Sequence, residues 1–183
     1  MMDENYFWAI IATSREAAKR RKRSVTQDFL GPHMEELAKA LRQLPPEEIV
    51  AFDRRFSSYR DLAYRWDVWG AAYWLGGGCG DDGFLDFSSC LISLGKDLFF
   101  QVLGDPDALA DIADRPDVPY LQAEGFQYVA MRVYKEKTGE DMPQPEVERR
   151  RAKPKGRLFD FDNEELMRRH YPKLVAKFPE MGD

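Results

Sequence analysis

Trp66-Asp67-Val68-Trp69-Gly70-Ala71-Ala72-Tyr73-Trp74-Leu75 runs directly into Gly76-Gly77-Gly78-Cys79-Gly80-Asp81-Asp82-Gly83-Phe84-Leu85-Asp86-Phe87. In the first half Trp66, Trp69 and Tyr73 recur at the three- and four-residue spacing of a single helix face, with Ala71, Ala72 and Trp74 beside them. The glycines stop that helix. Phe84, Phe87, Leu91 and Ile92 then resume the same stride until Gly95. The stretch therefore reads as helix, corner, helix, and this stride recurs along nearly the whole chain.

Upstream, Pro45-Pro46-Glu47-Glu48 reads as a helix start, with proline at the first position and acids in the first turn. Ile49, Phe52, Phe56 and Tyr59 form its buried stripe. Helices much longer than about 20 residues are uncommon in domains of this size, so residues 46–75 are read as two helices. Met34, Leu37, Ala38, Leu41 and Leu44 mark another, beginning near Gly31-Pro32. Asp3 can cap a first helix carrying Phe7, Trp8, Ile10 and Ile11, which runs into Lys19-Arg20-Arg21-Lys22-Arg23.

Downstream, Asp97 can open a short helix through Leu103, and Asp105-Pro106 pairs a capping acid with proline for a helix over about 107–113. Residues 114–120 read as loop. Phe126, Val129, Ala130, Val133 and Tyr134 form a helix that Gly139 ends. Residues 140–158 turn charged and proline-rich, the composition of a mobile connector or a strap across the surface. Asp162-Asn163-Glu164-Glu165 reads as a capping box, and Pro172 can start a last turn with Leu174, Val175 and Phe178. The only strand-like pattern, Phe159-Asp160-Phe161, is too brief for a sheet.

The expected fold is all-α: a single compact helical domain of about seven to nine helices. Its parts are a core over 1–140, a charged connector over 141–158, and a helical tail over 159–183 packed back on the core.

With 183 residues, 44% of them hydrophobic and 32% charged, the composition is that of a globular chain with room for a sizeable core. A net charge of −5 speaks against generic nucleic-acid binding, and no apolar run approaches membrane-spanning length. Two cysteines are too few for a disulfide framework and fit a reducing, cytoplasmic setting.

The glycine-rich corner holds the candidate chemistry. Asp81, Asp82 and Asp86 could ligate a divalent cation or act as an acid–base pair, with Asp82 and Asp86 one turn apart on a helix face. Their spacing does not follow the alternate acids of a calcium loop, and no Gly-Lys-Ser/Thr ending marks a phosphate loop. The plainer role is a turn in which Asp81 or Asp82 caps the next helix, worth about 1 kcal/mol. Cys79 as a nucleophile would need a base, and the nearby acids would raise its pKa; His33 and His170 are both distant in sequence. Cys79 and Cys90, eleven residues apart, form no zinc-chelating pair with those histidines.

Trp66, Trp69, Tyr73 and Trp74 could be a stacking platform, although at helical spacing they read as core. The basic runs 19–23 and Arg149-Arg150-Arg151 with Lys153, Lys155 and Arg157 could touch phosphates, but lack interleaved aromatics.

Several fragments belong together: Leu44-Pro45-Pro46-Glu47-Glu48-Ile49 with Phe52-Asp53; Tyr64 to Trp69 with Ala71-Ala72-Tyr73; and Gly-Gly-Cys-x-Asp-Asp-Gly-Phe-x-x-Phe over 77–87. Leu91-Ile92 with Gly95, Asp105-Pro106-Asp107, Asp160-Phe161-Asp162, Glu165-Met167-Arg168-Arg169 and Pro172-Leu174 complete the set. Together they resemble the bacterial family named domain of unknown function 4240, across nearly the whole chain. The resemblance implies one mostly helical cytoplasmic domain and no particular activity. It also implies serine at position 80 and Arg-x-Trp at 88–90, where this chain has Gly80, Ser88 and Cys90.

The function expected from these readings is a non-enzymatic cytoplasmic binding or interaction module. Its ligand surface would lie on the corner 76–86 and include Cys79, Asp81, Asp82, Asp86, Trp69 and Tyr73, with a protein or small molecule as partner and no cofactor. The alternatives are a divalent-cation-dependent hydrolase using Asp81, Asp82 and Asp86, and a nucleic-acid adaptor using the basic runs.

Overall fold

A computed structural model describes residues 1–21, 29–115, 118, 123–143 and 153–179. Among these residues the chain forms nine α-helices and two 3-10 turns, with no strand. They are α1 (Glu4–Arg21), α2 (Leu30–Arg42), α3 (Pro46–Ala63), α4 (Trp66–Gly76), α5 (Asp81–Ser93), α6 (Lys96–Gly104), α7 (Val129–Thr138), α8 (Glu164–His170) and α9 (Pro172–Lys177). The 3-10 turns cover Pro106–Asp111 and Phe126–Tyr128.

Local chemistry sets most of these boundaries. The Asp3 Oδ1 accepts the Tyr6 N–H at 3.0 Å and caps α1. Pro46 opens α3 with Glu47 and Glu48 in its first turn. The stripe residues of α1 and α3 meet in an aromatic core: Phe7 packs on Phe52 and Tyr59, and the Trp8 indole N–H donates to the Tyr59 hydroxyl at 2.9 Å. Residues 46–76 are two helices, because Tyr64 and Arg65 leave helical backbone angles. At that break the Lys155 N–H donates to the Tyr64 C=O and the Trp66 N–H donates to the Lys155 C=O, at 2.9 and 3.0 Å.

Three expected starts shift. The 105–106 signal makes a 3-10 turn rather than an α-helix over 107–113, capped as expected by Asp105, which accepts the Asp107 N–H. The 126–138 helix begins as a 3-10 turn before α7. The cap of α8 is Asn163, whose side chain accepts the Leu166 N–H at 3.1 Å, rather than Asp162. Asp162 is drawn off because it accepts the Tyr73 hydroxyl at 2.5 Å.

The tail packs on the core through α4. Tyr171 is 2% exposed and its hydroxyl donates to the Asp67 C=O at 2.6 Å; the Trp74 indole N–H donates to the Phe178 C=O at 2.9 Å. Gly70 makes this approach possible. A β-carbon there would lie 2.5 Å from the Tyr171 hydroxyl oxygen and 3.0 Å from ring carbons of both Phe159 and Phe161.

Gly70→Ala should therefore destabilise the protein even though alanine is the better helix former by about 1 kcal/mol. Overpacking costs of about 1–3 kcal/mol outweigh that gain, so a net loss of about 1 kcal/mol is expected in urea unfolding. An unchanged or higher midpoint would show that the tail yields at this point.

Candidate functional site

The corner between α4 and α5 is built from the backbone outward. Gly77 closes α4 in the left-handed conformation (φ 59°), which a residue with a side chain rarely adopts, and the Gly78 N–H donates back to the Tyr73 C=O at 2.9 Å. Trp69 then fixes the far side of the turn, its indole N–H donating to the Cys79 C=O at 2.8 Å. Its ring is 7% exposed, lies parallel to Phe84 at 4.6 Å between centroids, and stacks on Trp66 at 5.5 Å. Trp69 thus holds the corner in place and has little face left to offer a ligand. Trp74 is likewise buried, while Trp66 and Tyr73 are half-buried.

Cys79 sits half-buried against the first turn of α5, where a β-carbon on Gly83 would lie 3.7 Å from its Sγ. Its thiol is pushed up to about 11, and the cause is burial rather than the neighbouring acids. At neutral pH the group is a thiol and a poor nucleophile. Neither histidine serves it as a base: His33 Nε2 stands 3.1 Å from Ser14 Oγ, and His170 stacks on Phe159 at 4.0 Å. Cys90 is fully buried, its thiol pushed up to about 12 by the same cause.

The acids do not cap α5. Its N-cap is Gly80, with no side-chain cap, and Asp81 and Asp82 occupy the first helical turn with their side chains exposed. There they complement the positive end of the helix dipole. Among the described residues neither makes a hydrogen bond or ion pair of its own. Asp86, one turn on, is half-buried, and its carboxyl is held above the usual range by desolvation and then by the charges of Glu124 and Asp82; a hydrogen bond with Gln127 opposes the shift. Gln127 in turn accepts the Ser89 hydroxyl at 2.7 Å, and the Ala123 N–H donates to the Asp86 C=O at 3.3 Å. Leu85 stands among these acids, 38% exposed.

Sequence spacing brings Asp82 and Asp86 together, but Glu124 and Gln127 are about 40 positions away with no local pattern tying them to the corner. Tyr73 reaches the other way. It bonds Asp162 of the tail, packs on Phe161, and its phenol is raised chiefly by that carboxylate. Among the described residues no three His, Cys, Asp or Glu side chains are grouped so as to hold a metal ion.

The basic runs are only partly described. Lys19 pairs with Glu16, and Arg21 with Glu35 and Glu36, so those residues belong to helix surfaces. Lys22, Arg23 and Arg149–Arg151 lie outside the described residues, and Lys153, Lys155 and Arg157 are exposed. No helix among the described residues is long and apolar enough to cross a membrane.

Comparison with known proteins found no match among curated proteins and none among solved structures. A family model does match, over residues 2–136, which takes in α1 to α6, both 3-10 turns and most of α7, and so the whole glycine–aspartate corner with its neighbours Glu124 and Gln127. The chain belongs to the family described as protein of unknown function (DUF4240).

Proposed function

We propose that the protein is a non-enzymatic cytoplasmic binding module whose recognition surface is the acidic corner, and that its ligand is cationic. The observation that carries this reading is the state of the carboxylates. Asp81 and Asp82 project into solvent without compensating partners among the described residues, and Asp86 with Glu124 extends the same negative field. The positive end of the α5 dipole offsets part of this charge, and no cap or ion pair among the described residues offsets the rest. Leaving like charges side by side costs energy, which a positively charged partner recovers. Leu85 adds an apolar contact at the centre, and Trp69 keeps the corner rigid, which limits the ordering cost of binding.

A basic peptide segment or a small organic cation fits this chemistry. Amide chemical-shift titration of the full chain with a hexa-arginine peptide at low salt tests it. Expected are saturable shifts confined to residues 76–86 and 124–128, with affinity about tenfold weaker in a folded Asp81→Asn/Asp82→Asn variant. Absence of localised shifts overturns the reading. Saturable binding of magnesium, calcium or manganese at Asp81, Asp82 and Asp86 would replace it with the cation-dependent hydrolase. Shifts confined to the basic runs on adding an oligonucleotide would replace it with the nucleic-acid adaptor.

A further inference from the structure

The tail is held to the core in the manner of a bound peptide. Its extended start pairs backbone to backbone at the α3–α4 break, where Lys155 exchanges hydrogen bonds with Tyr64 and Trp66. Its middle sets Phe159, Phe161 and Tyr171 over the notch left by Gly70. Its end presents the N-terminus of α9 to Asp107, whose two carboxylate oxygens accept the Lys173 and Leu174 N–H groups at 3.1 and 2.8 Å. These are the devices of peptide recognition: main-chain pairing for alignment, side-chain anchors in a shaped recess, and a fixed charge reading one end.

The division of labour follows the family match. Every receiving residue lies within 2–136, while the occupying segment, 153–179, lies outside it. Asp107 is 6% exposed, and each of its carboxylate oxygens is taken up by an amide of the tail. The receiving face is thus chemically specified apart from its occupant.

We infer that this face of α4 and the 106–111 turn is a peptide-docking site. It takes residues 153–179 as its ligand in trans, from a second copy of the chain, as well as in cis. Linkage within one chain raises the effective concentration of its own tail and favours the cis form, while exchange between copies makes no contact that the cis form lacks.

The test uses the full-length chain with a protease recognition site placed between residues 143 and 153, cleaved after folding, and a dye-labelled synthetic peptide of residues 153–183. Fluorescence anisotropy should show saturable exchange of the labelled peptide into the cleaved protein. Tyr171→Phe in the peptide, which deletes only the hydroxyl on the Asp67 C=O, and Leu174→Ala in the peptide should each weaken binding about tenfold with the core untouched. Asp107→Ala in the cleaved protein should weaken it further. No exchange short of global unfolding, loss of core helicity on release of the tail, or binding indifferent to the peptide variants would each overturn the inference. None of these readouts depends on the acidic corner.

Discussion

Asp107→Ala should lower the stability of the protein by about 3 kcal/mol, with the damage centred on α8 and α9 rather than on the turn that carries the aspartate. A side-chain cap is worth about 1 kcal/mol to the helix it ends. Asp107 caps α9 through amides 66 and 67 residues away in sequence, and both of these hydrogen bonds are charge-assisted. Asp107 and Leu174 are buried, so truncation leaves the Leu174 N–H without an acceptor and without free access to water, and the part-buried Lys173 N–H loses its acceptor too. Each such loss costs about 1–3 kcal/mol. In a domain of this length about 3 kcal/mol corresponds to a fall in Tm of roughly 6–12 °C. Asp107→Asn keeps one acceptor oxygen and should lose about half as much. Thermal unfolding gives the total, and amide exchange at 164–177 locates it. A midpoint within about 1 kcal/mol of the parent, with unchanged exchange in α9, would show that the aspartate is dispensable.

That carboxylate also marks the limit of what the sequence discloses. The signal Asp105-Pro106 is local, and it correctly announces a capped turn, because cap and capped amide are two residues apart. Nothing near Asp107 announces that its partners are Lys173 and Leu174. The helices are legible for the same reason: Phe7 to Ala18, Ile49 to Tyr59 and Phe84 to Ile92 each repeat at helical spacing between prolines, glycines and capping acids. Where two local candidates compete, the tertiary partner decides. Asp162 and Asn163 could each cap α8, and Asp162 loses the role because Tyr73 claims it. At the corner, the extended backbone of Gly80 takes the cap position, which pushes Asp81 and Asp82 one step into the helix and out to solvent. The site residues are therefore visible in the sequence as a composition, while their state is set by distant groups: Glu124 beside Asp86, and Trp69 beneath Cys79.

Acidification should destabilise the protein through His33 well above the pH at which most carboxylates titrate. The ring is 1% exposed, packed near Phe29 and Phe126, and its pKa is lowered to about 3, first by burial and then by the charge of Arg15. Ser14 Oγ donates to the Ile11 C=O at 2.9 Å, which assigns the Nε2–H as the donor to Ser14 and leaves Nδ1 as the bare nitrogen. Nδ1 has no hydrogen-bond partner among the described residues, so a proton added there has no acceptor waiting. The sign follows from linkage. The unfolded chain binds this proton near pH 6.5 and the folded chain only near 3, so stability is complete above 6.5 and is lost as pH falls through that window. The slope is about 1.4 kcal/mol per pH unit, which makes the loss about 2 kcal/mol by pH 5. Glutamine at this position can keep a hydrogen bond to Ser14 and does not titrate. His33→Gln should therefore show a much flatter stability profile between pH 7 and 5, while the carboxylates, common to both proteins, cancel in the difference. Urea unfolding of the two proteins at pH 7.5, 6 and 5 measures it. Parallel profiles would mean that His33 takes up its proton without disturbing the contact between α1 and α2 that it makes with Ser14.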